Sequence, residues 1–392
     1  MNIIKKISSI IVVSCILMGL VSCSNVDTSW IAEYNGEKMA VGVYIQCLME
    51  EYSQLYIKDL MGKMTNPEKK SDKKSKIGDS KEEALDKEKK VSILKKIIDG
   101  KTGTDWIIDN AKEKIGENIA INNKFKEMNL KLDEEKVDYI EHNLIKEWDA
   151  LNEQQQYEKK GISRDSVLKT LITHMKKQKI FDAYYSEGGL KEVTNEQIKK
   201  YLKENYNKVK YFSFELYGLN DDEKSKKEKL YDEFLKRAES GEDIDLLIEE
   251  FDKKEYASND DSGKTEDTQK SNDESGYDHT TDEEDETVAI YKKDGSGEFT
   301  KDIQEAIDKA DMNKVEGYKG KDELIIFIKK DPADSKEYIE KNKNDLISEM
   351  KSKEFEEEVK TWVDVSKIKY NEDAINKYTP KKLGLDKKNN KK

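Results

Sequence analysis

The chain has 392 residues, of which 40% are charged and 35% are hydrophobic, and its formal net charge is -13. A chain of this length is expected to form roughly two or three domains, and so few core-forming residues indicate that part of it is disordered. The acidic balance argues against nucleic acid as the main partner, because a strong binder needs clustered cations to neutralise phosphates.

The N-terminus has the pattern of a bacterial lipoprotein signal peptide over residues 1–22. A basic segment at Lys5 and Lys6 precedes an apolar run that is shorter than a membrane span of about 20 residues. The run ends in Leu20-Val21-Ser22-Cys23, which resembles the lipobox, where the chain is cut before a cysteine that carries a diacylglycerol. An ordinary secretory signal is the alternative. Lipidation of Cys23 predicts a protein anchored on the extracytoplasmic face of a bacterial membrane, in a cell expected to be Gram-positive.

The chain contains 3 cysteines, and two of them are accounted for by this N-terminus. Cys15 leaves with the signal peptide and Cys23 is lipidated, so no intramolecular disulfide is expected in the mature chain. Cys47 lies in an apolar, helix-like run and is expected to be a buried small hydrophobe, with a reactive thiol as the alternative.

The N-terminal region reads as helical. Asn35-Gly36 predicts a hairpin turn, and a helix is predicted over about 43–60. A polar stretch at about 65–90 predicts a disordered insertion. Helical patterning resumes at Val91, Leu94, Ile97 and Ile98, and later helices are predicted from Asp105, from the N-cap Asp133 and along the stripe Leu168, Leu171, Ile172 and Met175. These elements form a predicted helical domain at residues 23–206.

The sequence pattern changes after Gly188-Gly189. These glycines are predicted to end one helix, and a capping box at Thr194 and Gln197 is predicted to start another. Residues 207–332 are predicted to form a small α+β domain of order β-α-α-β-α-β, interrupted by an acidic, disordered insertion at about 252–286. Its elements are predicted at 209–216, 224–238, 241–251, 288–291, 300–310 and 324–328.

A further helix is predicted over about 336–362, and a short strand is predicted to follow at 365–370. Residues 333–375 are therefore expected to complete the helical domain, and residues 376–392 to form a basic tail. The predicted fold class is α+β and mainly helical, with a discontinuous helical domain that carries an inserted α+β domain.

Four stretches resemble extracytoplasmic foldases of the PrsA/SurA type: the lipobox, the Asn-Gly hairpin, the helix GISRDSVLKTLI…QKIFDAYYSEGG and the junction TNEQIKKYLKENYNKVKYFSF. The resemblance implies a helical chaperone domain with an inserted parvulin domain, a peptidyl-prolyl isomerase. Parvulins carry histidines in their first and last strands. The equivalent positions here are Ser213 and Ile325, so no catalytic residue is assigned.

The remaining candidates for site chemistry are weak. The chain has 3 histidines, His142, His174 and His279, and none has the spacing of a metal site or a triad. The acidic stretch Asp260–Glu286 could hold calcium loosely, but it lacks the regular calcium-loop spacing, and a solvated acidic loop is the favoured interpretation. No metal and no cofactor are expected.

These features predict a membrane-anchored, extracytoplasmic chaperone that holds unfolded or partly folded secreted proteins and binds no nucleic acid. An active parvulin-type isomerase and a non-chaperone surface lipoprotein remain open as alternatives. Lowering an isomerisation barrier of about 18–20 kcal/mol requires a desolvated, polar-lined cleft that grips the twisted imide. Catalysis is disfavoured, because the paired histidines of the family and the scaffold around them are missing from this sequence. The enzyme question is therefore left uncertain, leaning towards no activity.

Overall fold

The computed structural model describes residues 29–65, 92–150, 153–259, 287–295, 297 and 299–385. The predicted signal peptide, Cys15, the lipobox with Cys23, and His279 lie outside these residues. So do most of the insertion at about 65–90, the stretch 260–286 and the end of the basic tail. The prediction of an α+β, mainly helical fold is confirmed by the elements of the described chain.

The chain divides into two compact units. The helical unit runs to Tyr184 and resumes at Lys353, and the α+β unit is Tyr185–Ser352. The sequence places the corresponding boundaries at 206/207 and 332/333. The difference arises because the helix before the first strand of the α+β unit and the helix after its last strand contact one another through Tyr201 and Glu349.

The helical unit begins with the predicted hairpin. Strands β1 (Trp30–Tyr34) and β2 (Glu37–Ala40) are antiparallel, and the turn residues Asn35 and Gly36 have φ of 50° and 82°. Both angles are in the left-handed region, which Asn and Gly tolerate best. Helix α1 (Val41–Thr65) follows directly, and its Cys47 is buried, as predicted.

Helical structure predicted around Leu94–Ile98 is wrong. A 3₁₀ turn at Ile93–Lys95 leads into a second small hairpin, in which β3 (Ile97–Ile98) pairs with β4 (Lys101–Thr102). Its turn residues are Asp99, with φ of 51°, and Gly100, with φ of 81°. Asp-Gly is a strong turn signal that the apolar spacing of the segment obscured.

Four helices complete the N-terminal part of the helical unit: α2 (Gly103–Glu127), α3 (Glu134–Ala150), α4 (Glu153–Lys160) and α5 (Arg164–Tyr185). Thr102 caps α2 by accepting from the Asp105 N–H, so α2 begins two residues before its predicted start. Ile107 is buried in α2, whereas Ile108 is half-buried. Asp133 accepts from the first-turn N–H groups of α3, as predicted for an N-cap.

The α+β unit contains a four-stranded antiparallel sheet of order β6-β5-β8-β7. Helix α6 (Asn195–Asn205) precedes β5, and the Thr194–Gln197 capping box is present. The elements after α6 are β5 (Tyr206–Glu215), α7 (Asp221–Glu239), α8 (Ile244–Asn259), β6 (Val288–Lys292), α9 (Lys301–Lys309), β7 (Val315–Lys319) and β8 (Glu323–Lys330).

The central strands are buried on both faces, because side chains alternate along each strand. One face packs on α7 and α8 through a core that includes Phe212, Phe214 and Leu324. The other packs on α9 through Val209, Ile325 and further apolar residues. Strand β7 was not predicted, because its sequence VEGYK contains glycine and charged residues. Helix α8 also continues beyond the predicted start of the acidic insertion at about 252.

The C-terminal segment consists of α10 (Lys336–Lys341), α11 (Lys343–Thr361), β9 (Lys369–Tyr370) and α12 (Glu372–Lys377). One continuous helix was predicted over 336–362. The structure instead breaks it at Asn342, whose backbone has φ of -103° and ψ of 12°. Strand β9 pairs antiparallel with β1, so the two ends of the chain meet in one sheet of the helical unit.

Candidate functional site

The pairing of β5 with β8 places the two parvulin-equivalent positions side by side. Ser213 lies directly opposite Ile325 in the antiparallel register, and Ile325 lies opposite Tyr318 of β7. Because side chains alternate, Ser213 shares the α9 face of the sheet with Tyr211 and Val209. The structure therefore brings Ser213 and Ile325 together on one face.

Aromatic side chains pack on the core that contains Ile325. Ile325 has 0% of its surface exposed. Tyr211 and Tyr318 pack against the core that contains Ile325, and Tyr211 lies edge-on to Phe299 with ring centroids 4.9 Å apart. A substrate proline would need an open apolar cleft beside the reacting bond. The full burial of Ile325 leaves no such opening at that side chain.

The described histidines lie elsewhere. His142 is an exposed residue of α3 and His174 is an exposed residue of α5, so both belong to the helical unit. Neither histidine therefore belongs to the unit that contains Ser213. Among the residues with described positions, no group of three or more His, Cys, Asp and Glu side chains is arranged to hold a metal ion.

A buried polar contact that was not predicted lies at the start of β5. Asn207 is 1% exposed and donates from Nδ2 to Asp308 Oδ1 at 2.7 Å. Lys329 donates to the Asp308 carbonyl oxygen at 2.9 Å, and burial lowers the pKa of Lys329. These contacts tie the C-terminal end of α9 to the sheet. No signal for Asn207 was available, because the strand was predicted to begin at Val209.

A second polar cluster holds α11 on the α+β unit. Tyr206 donates its hydroxyl to Glu349 Oε2 at 2.7 Å, and Tyr201 donates to the same oxygen at 3.2 Å. Lys292 lies 2.6 Å from Glu349 Oε1. Burial, followed by the hydrogen bond to Glu349, raises the pKa of Tyr206. The tyrosines therefore remain protonated donors, and the cluster is suited to holding elements together rather than to nucleophilic chemistry.

The helical unit offers a cleft of about 270 Å³ next to the β3–β4 hairpin. Its charges are already paired: Lys101 lies 2.5 Å from Asp109, and Lys58 lies 3.5 Å from Asp99. A charged ligand would have to compete with these internal partners. The lining residues are Asp99, Lys101, Trp106, Asp109, Asn110 and Glu113.

Helices α3 and α5 of the helical unit keep apolar surface accessible to solvent. Tyr139 and Ile145 of α3 are 67% and 36% exposed. The stripe of α5 predicted from the sequence is only half-buried. The first buried apolar residue of the helix is Ile180, near its C-terminal end, although the polar Ser166 and Thr173 are also buried. Half-buried apolar residues of these helices include Val137, Ile140 and Leu144 in α3, and Leu168, Leu171, Ile172 and Met175 in α5. We call these seven residues and Ile145 the apolar face. Tyr139 projects from the opposite side of α3, because it lies about 200° around the helix from Val137.

Unpaired carboxylates flank the α3 part of the apolar face. Within the described residues, no ion pair is formed by Glu134, Glu135, Asp138, Glu141 or Glu147. Elsewhere in the helical unit, acidic residues such as Asp59 and Glu37 contact lysines. Because an unpaired charge on a helix surface stays hydrated, α3 combines accessible apolar side chains with a strongly solvated rim.

Membrane attachment is not tested by the described residues. Cys23 and the lipobox residues Leu20, Val21 and Ser22 lie outside them. None of the helices in the described ranges is long and apolar enough to cross a membrane.

Comparison with known proteins finds similar solved structures, and two of them are foldase proteins. No family model and no curated protein matches the chain. The foldase protein PrsA from Streptococcus pneumoniae is 14% identical with a TM-score of 0.25, and the match covers 72% of this chain and 96% of that chain. The foldase protein PrsA from Lactococcus lactis is 12% identical with a TM-score of 0.30, covering 91% of this chain and 99% of that chain. Neither match by itself assigns a function to this chain.

Proposed function

We propose that the mature chain is a lipid-anchored, extracytoplasmic chaperone that holds unfolded or partly folded secreted proteins. The observation that carries the proposal is the apolar face of α3 and α5. Accessible apolar surface costs about 25 cal/mol per Å² relative to burial, so a client segment that covers it gains free energy. The resemblance of the sequence to PrsA/SurA-type foldases supports the same function.

Holding a client requires that the complex stay soluble. The unpaired carboxylates of α3 stand beside the apolar side chains and remain hydrated when the apolar face is covered. Charged residues make up 40% of the whole chain. This arrangement fits a protein that binds apolar segments transiently without aggregating.

The proposal is tested by aggregation assays with the mature chain and a chemically unfolded secreted protein. Suppression of light scattering at about stoichiometric chaperone is expected. Ile145→Glu should weaken suppression, because it places a charge beside the apolar side chains of the face. Leu246→Glu is the control: Leu246 is 59% exposed in the α+β unit, outside the proposed surface. Equal suppression by both variants, with unchanged circular dichroism, would show that the apolar face does not bind clients.

Prolyl isomerisation is not included in the proposed function. The positions equivalent to the parvulin histidines are Ser213 and Ile325, and Ile325 has no exposed surface. In a proline-peptide assay, we expect the mature chain to leave the isomerisation rate at its uncatalysed value. A clear rate enhancement that disappears in Ser213→Ala would reinstate catalysis at this pair.

Anchoring is tested independently of chaperone activity. Cys23→Ala removes the thiol that would carry the lipid, so the protein is expected to move from the membrane fraction to the soluble fraction. Membrane retention of this variant would contradict lipidation at Cys23. It would leave the aggregation assay, which uses the soluble mature chain, unaffected.

A further inference from the structure

The α3 part of the apolar face is bordered on one side by carboxylates. Glu134, Asp138 and Glu141 follow one another at spacings of four and three residues, so they form one row along the helix. They lie about 40–100° around the helix axis from Val137, beside the apolar side chains. The row leads to Ile145, four residues after Glu141. We call the three carboxylates the acidic row.

The acidic row is accessible, and its charge is not neutralised within the described residues. Glu134 and Asp138 are exposed and Glu141 is half-buried. None of the three forms an ion pair in the part of the chain that the structure describes. On the neighbouring α2, by contrast, Asp109 lies 2.5 Å from Lys101. The charge of the acidic row is therefore available to a binding partner.

The three carboxylates also repel one another. Like charges three or four residues apart destabilise a helix, and two such pairs follow in succession here. At 1.5 Å per residue, the row places three negative charges within about 10 Å along the helix axis. An extended chain covers that length in about three residues. A partner with cations along the row would remove the repulsion while its apolar side chains cover the face.

Helix α5, the other part of the apolar face, has no such row. It contains two acidic residues, and both have partners on the same helix. Asp165 lies 2.7 Å from Lys169, and Asp182 accepts from Gln178 at 2.8 Å. An electrostatic preference for a cationic partner is therefore assigned to α3 alone.

We propose that the α3 part of the apolar face binds client segments in which apolar residues lie next to lysine or arginine. The inference rests on the proposed holding function and names the class of segment that this site prefers. Complementary charge selects among segments that cover the apolar side chains equally well. A second copy of this chain is not the expected occupant, because each copy carries a net charge of -13 and the two repel one another.

The experiment uses the mature chain, residues 23–392, with Cys23→Ser so that no lipid contributes to binding. Three peptides of about twelve residues share one apolar core and one neutral fluorescent label, and their flanking residues are lysine, glutamine or glutamate. Fluorescence anisotropy at about 0.05 M salt measures their affinities. The lysine-flanked peptide is expected to bind at least about five-fold more tightly than the glutamine-flanked peptide, since several exposed ion pairs, each worth a factor of about two, form together.

The glutamate-flanked peptide is expected to bind most weakly of the three, because its charges have the same sign as the acidic row. Raising the salt to about 1 M should remove the differences among the peptides, since the screening length falls to about 3 Å. A preference for lysine flanks that persists at this salt concentration would contradict an electrostatic origin and overturn the inference.

The decisive variant combines Glu134→Gln, Asp138→Asn and Glu141→Gln. It should bind the lysine-flanked and glutamine-flanked peptides with affinities within about two-fold of each other, and the glutamine-flanked peptide as the unchanged protein does. A matched variant removes three charges from the α+β unit, at exposed carboxylates that form no ion pair within the described residues, and should keep the preference. Its substitutions are Glu228→Gln, Glu239→Gln and Glu340→Gln.

The outcomes separate this inference from the holding function. A preference that survives in the first variant would overturn the inference, and so would its equal loss in both variants, because net charge would then select the peptide. Binding of all three peptides with equal affinity would overturn the inference and leave the holding function intact. If no peptide binds, the holding function fails and the inference fails with it.

Discussion

Two buried tyrosine hydroxyls in this protein differ in whether they have a partner. Tyr44 is 0% exposed, and its hydroxyl has no hydrogen-bond partner within the described residues. Tyr206 is 5% exposed and donates to Glu349 at 2.7 Å. A buried polar group without a partner costs about 1–3 kcal/mol, whereas a hydrogen bond to a charged acceptor stabilises by about 1.5–3 kcal/mol.

Tyr44→Phe and Tyr206→Phe are therefore expected to change stability in opposite directions. Tyr44→Phe should raise the free energy of unfolding by about 1 kcal/mol, because it removes an unsatisfied hydroxyl. Tyr206→Phe should lower it by about 2 kcal/mol. Urea unfolding followed by far-ultraviolet circular dichroism measures both changes. A loss of stability in Tyr44→Phe would show that its hydroxyl has a partner in solution.

A carboxyl group at the α1–α2 contact gives the fold a pH dependence. Glu51 is 3% exposed, and burial raises the pKa of Glu51, an effect that the nearby Lys114 only partly offsets. The folded pKa is therefore above the unfolded value, so ionised Glu51 destabilises the fold at neutral pH. This cost is relieved as the pH falls through the folded pKa, and it is absent below the unfolded pKa of about 4.3.

Glu51→Gln is expected to stabilise the protein at pH 7 more than at pH 5, since the amide is neutral at both values. The midpoint of urea unfolding at the two pH values measures the difference. Glu50→Gln is the control, because Glu50 is the exposed neighbour on the same helix turn. An equal gain in both variants would show that net charge, not burial of Glu51, is responsible.

At the scale of secondary-structure elements, the sequence predicted the caps and turns that depend on short sequence motifs. The capping box at Thr194, the N-cap at Asp133 and the Asn35-Gly36 turn were all found, because each depends on neighbouring residues only. Strand β7 was missed, since its Gly317 is placed by tertiary contact: a Cβ there would lie 2.2 Å from the Tyr231 hydroxyl. The neighbours of Ser213 on its sheet face could not be predicted either, because one of them, Tyr318, belongs to this unpredicted strand.

The start of α6 carries a prediction at this scale. Thr194 accepts from the Gln197 N–H, and the Gln197 side chain accepts from the Thr194 N–H. Thr194→Ala should cost about 1 kcal/mol of stability, because one helix N–H loses its acceptor. Thr194→Ser retains the oxygen and should cost less. Thermal unfolding by circular dichroism compares the two, and indistinguishable losses would rule out the hydroxyl as the stabilising group.

At the scale of the whole molecule, the helical unit is closed by contacts between distant parts of the chain. Asn371 joins β9 to β1 with one backbone and one side-chain hydrogen bond, and its Oδ1 also accepts from the Ala374 N–H. The four tryptophans, Trp30, Trp106, Trp148 and Trp362, all lie in this unit, so their fluorescence reports on it alone.

Asn371→Ala is expected to destabilise the helical unit by about 1–3 kcal/mol, because two side-chain hydrogen bonds are lost. Urea unfolding followed by tryptophan fluorescence measures this change. Asn376→Ala is the control, since Asn376 is exposed and uses only its backbone carbonyl in the contact with Lys382. An unchanged fluorescence midpoint in Asn371→Ala would show that the β1–β9 pairing does not limit the stability of the unit.

If the chain is exported, as proposed, the pairing of β1 with β9 has a consequence for the order in which the molecule can assemble. A chain that crosses a membrane N-terminus first releases β1 early and β9 only near the end. The α+β unit, which is continuous from Tyr185 to Ser352, can close before Lys353 has emerged. The helical unit must wait for the last part of the chain, so an export process arrested there would leave an intermediate in which β1 lacks its pairing with β9.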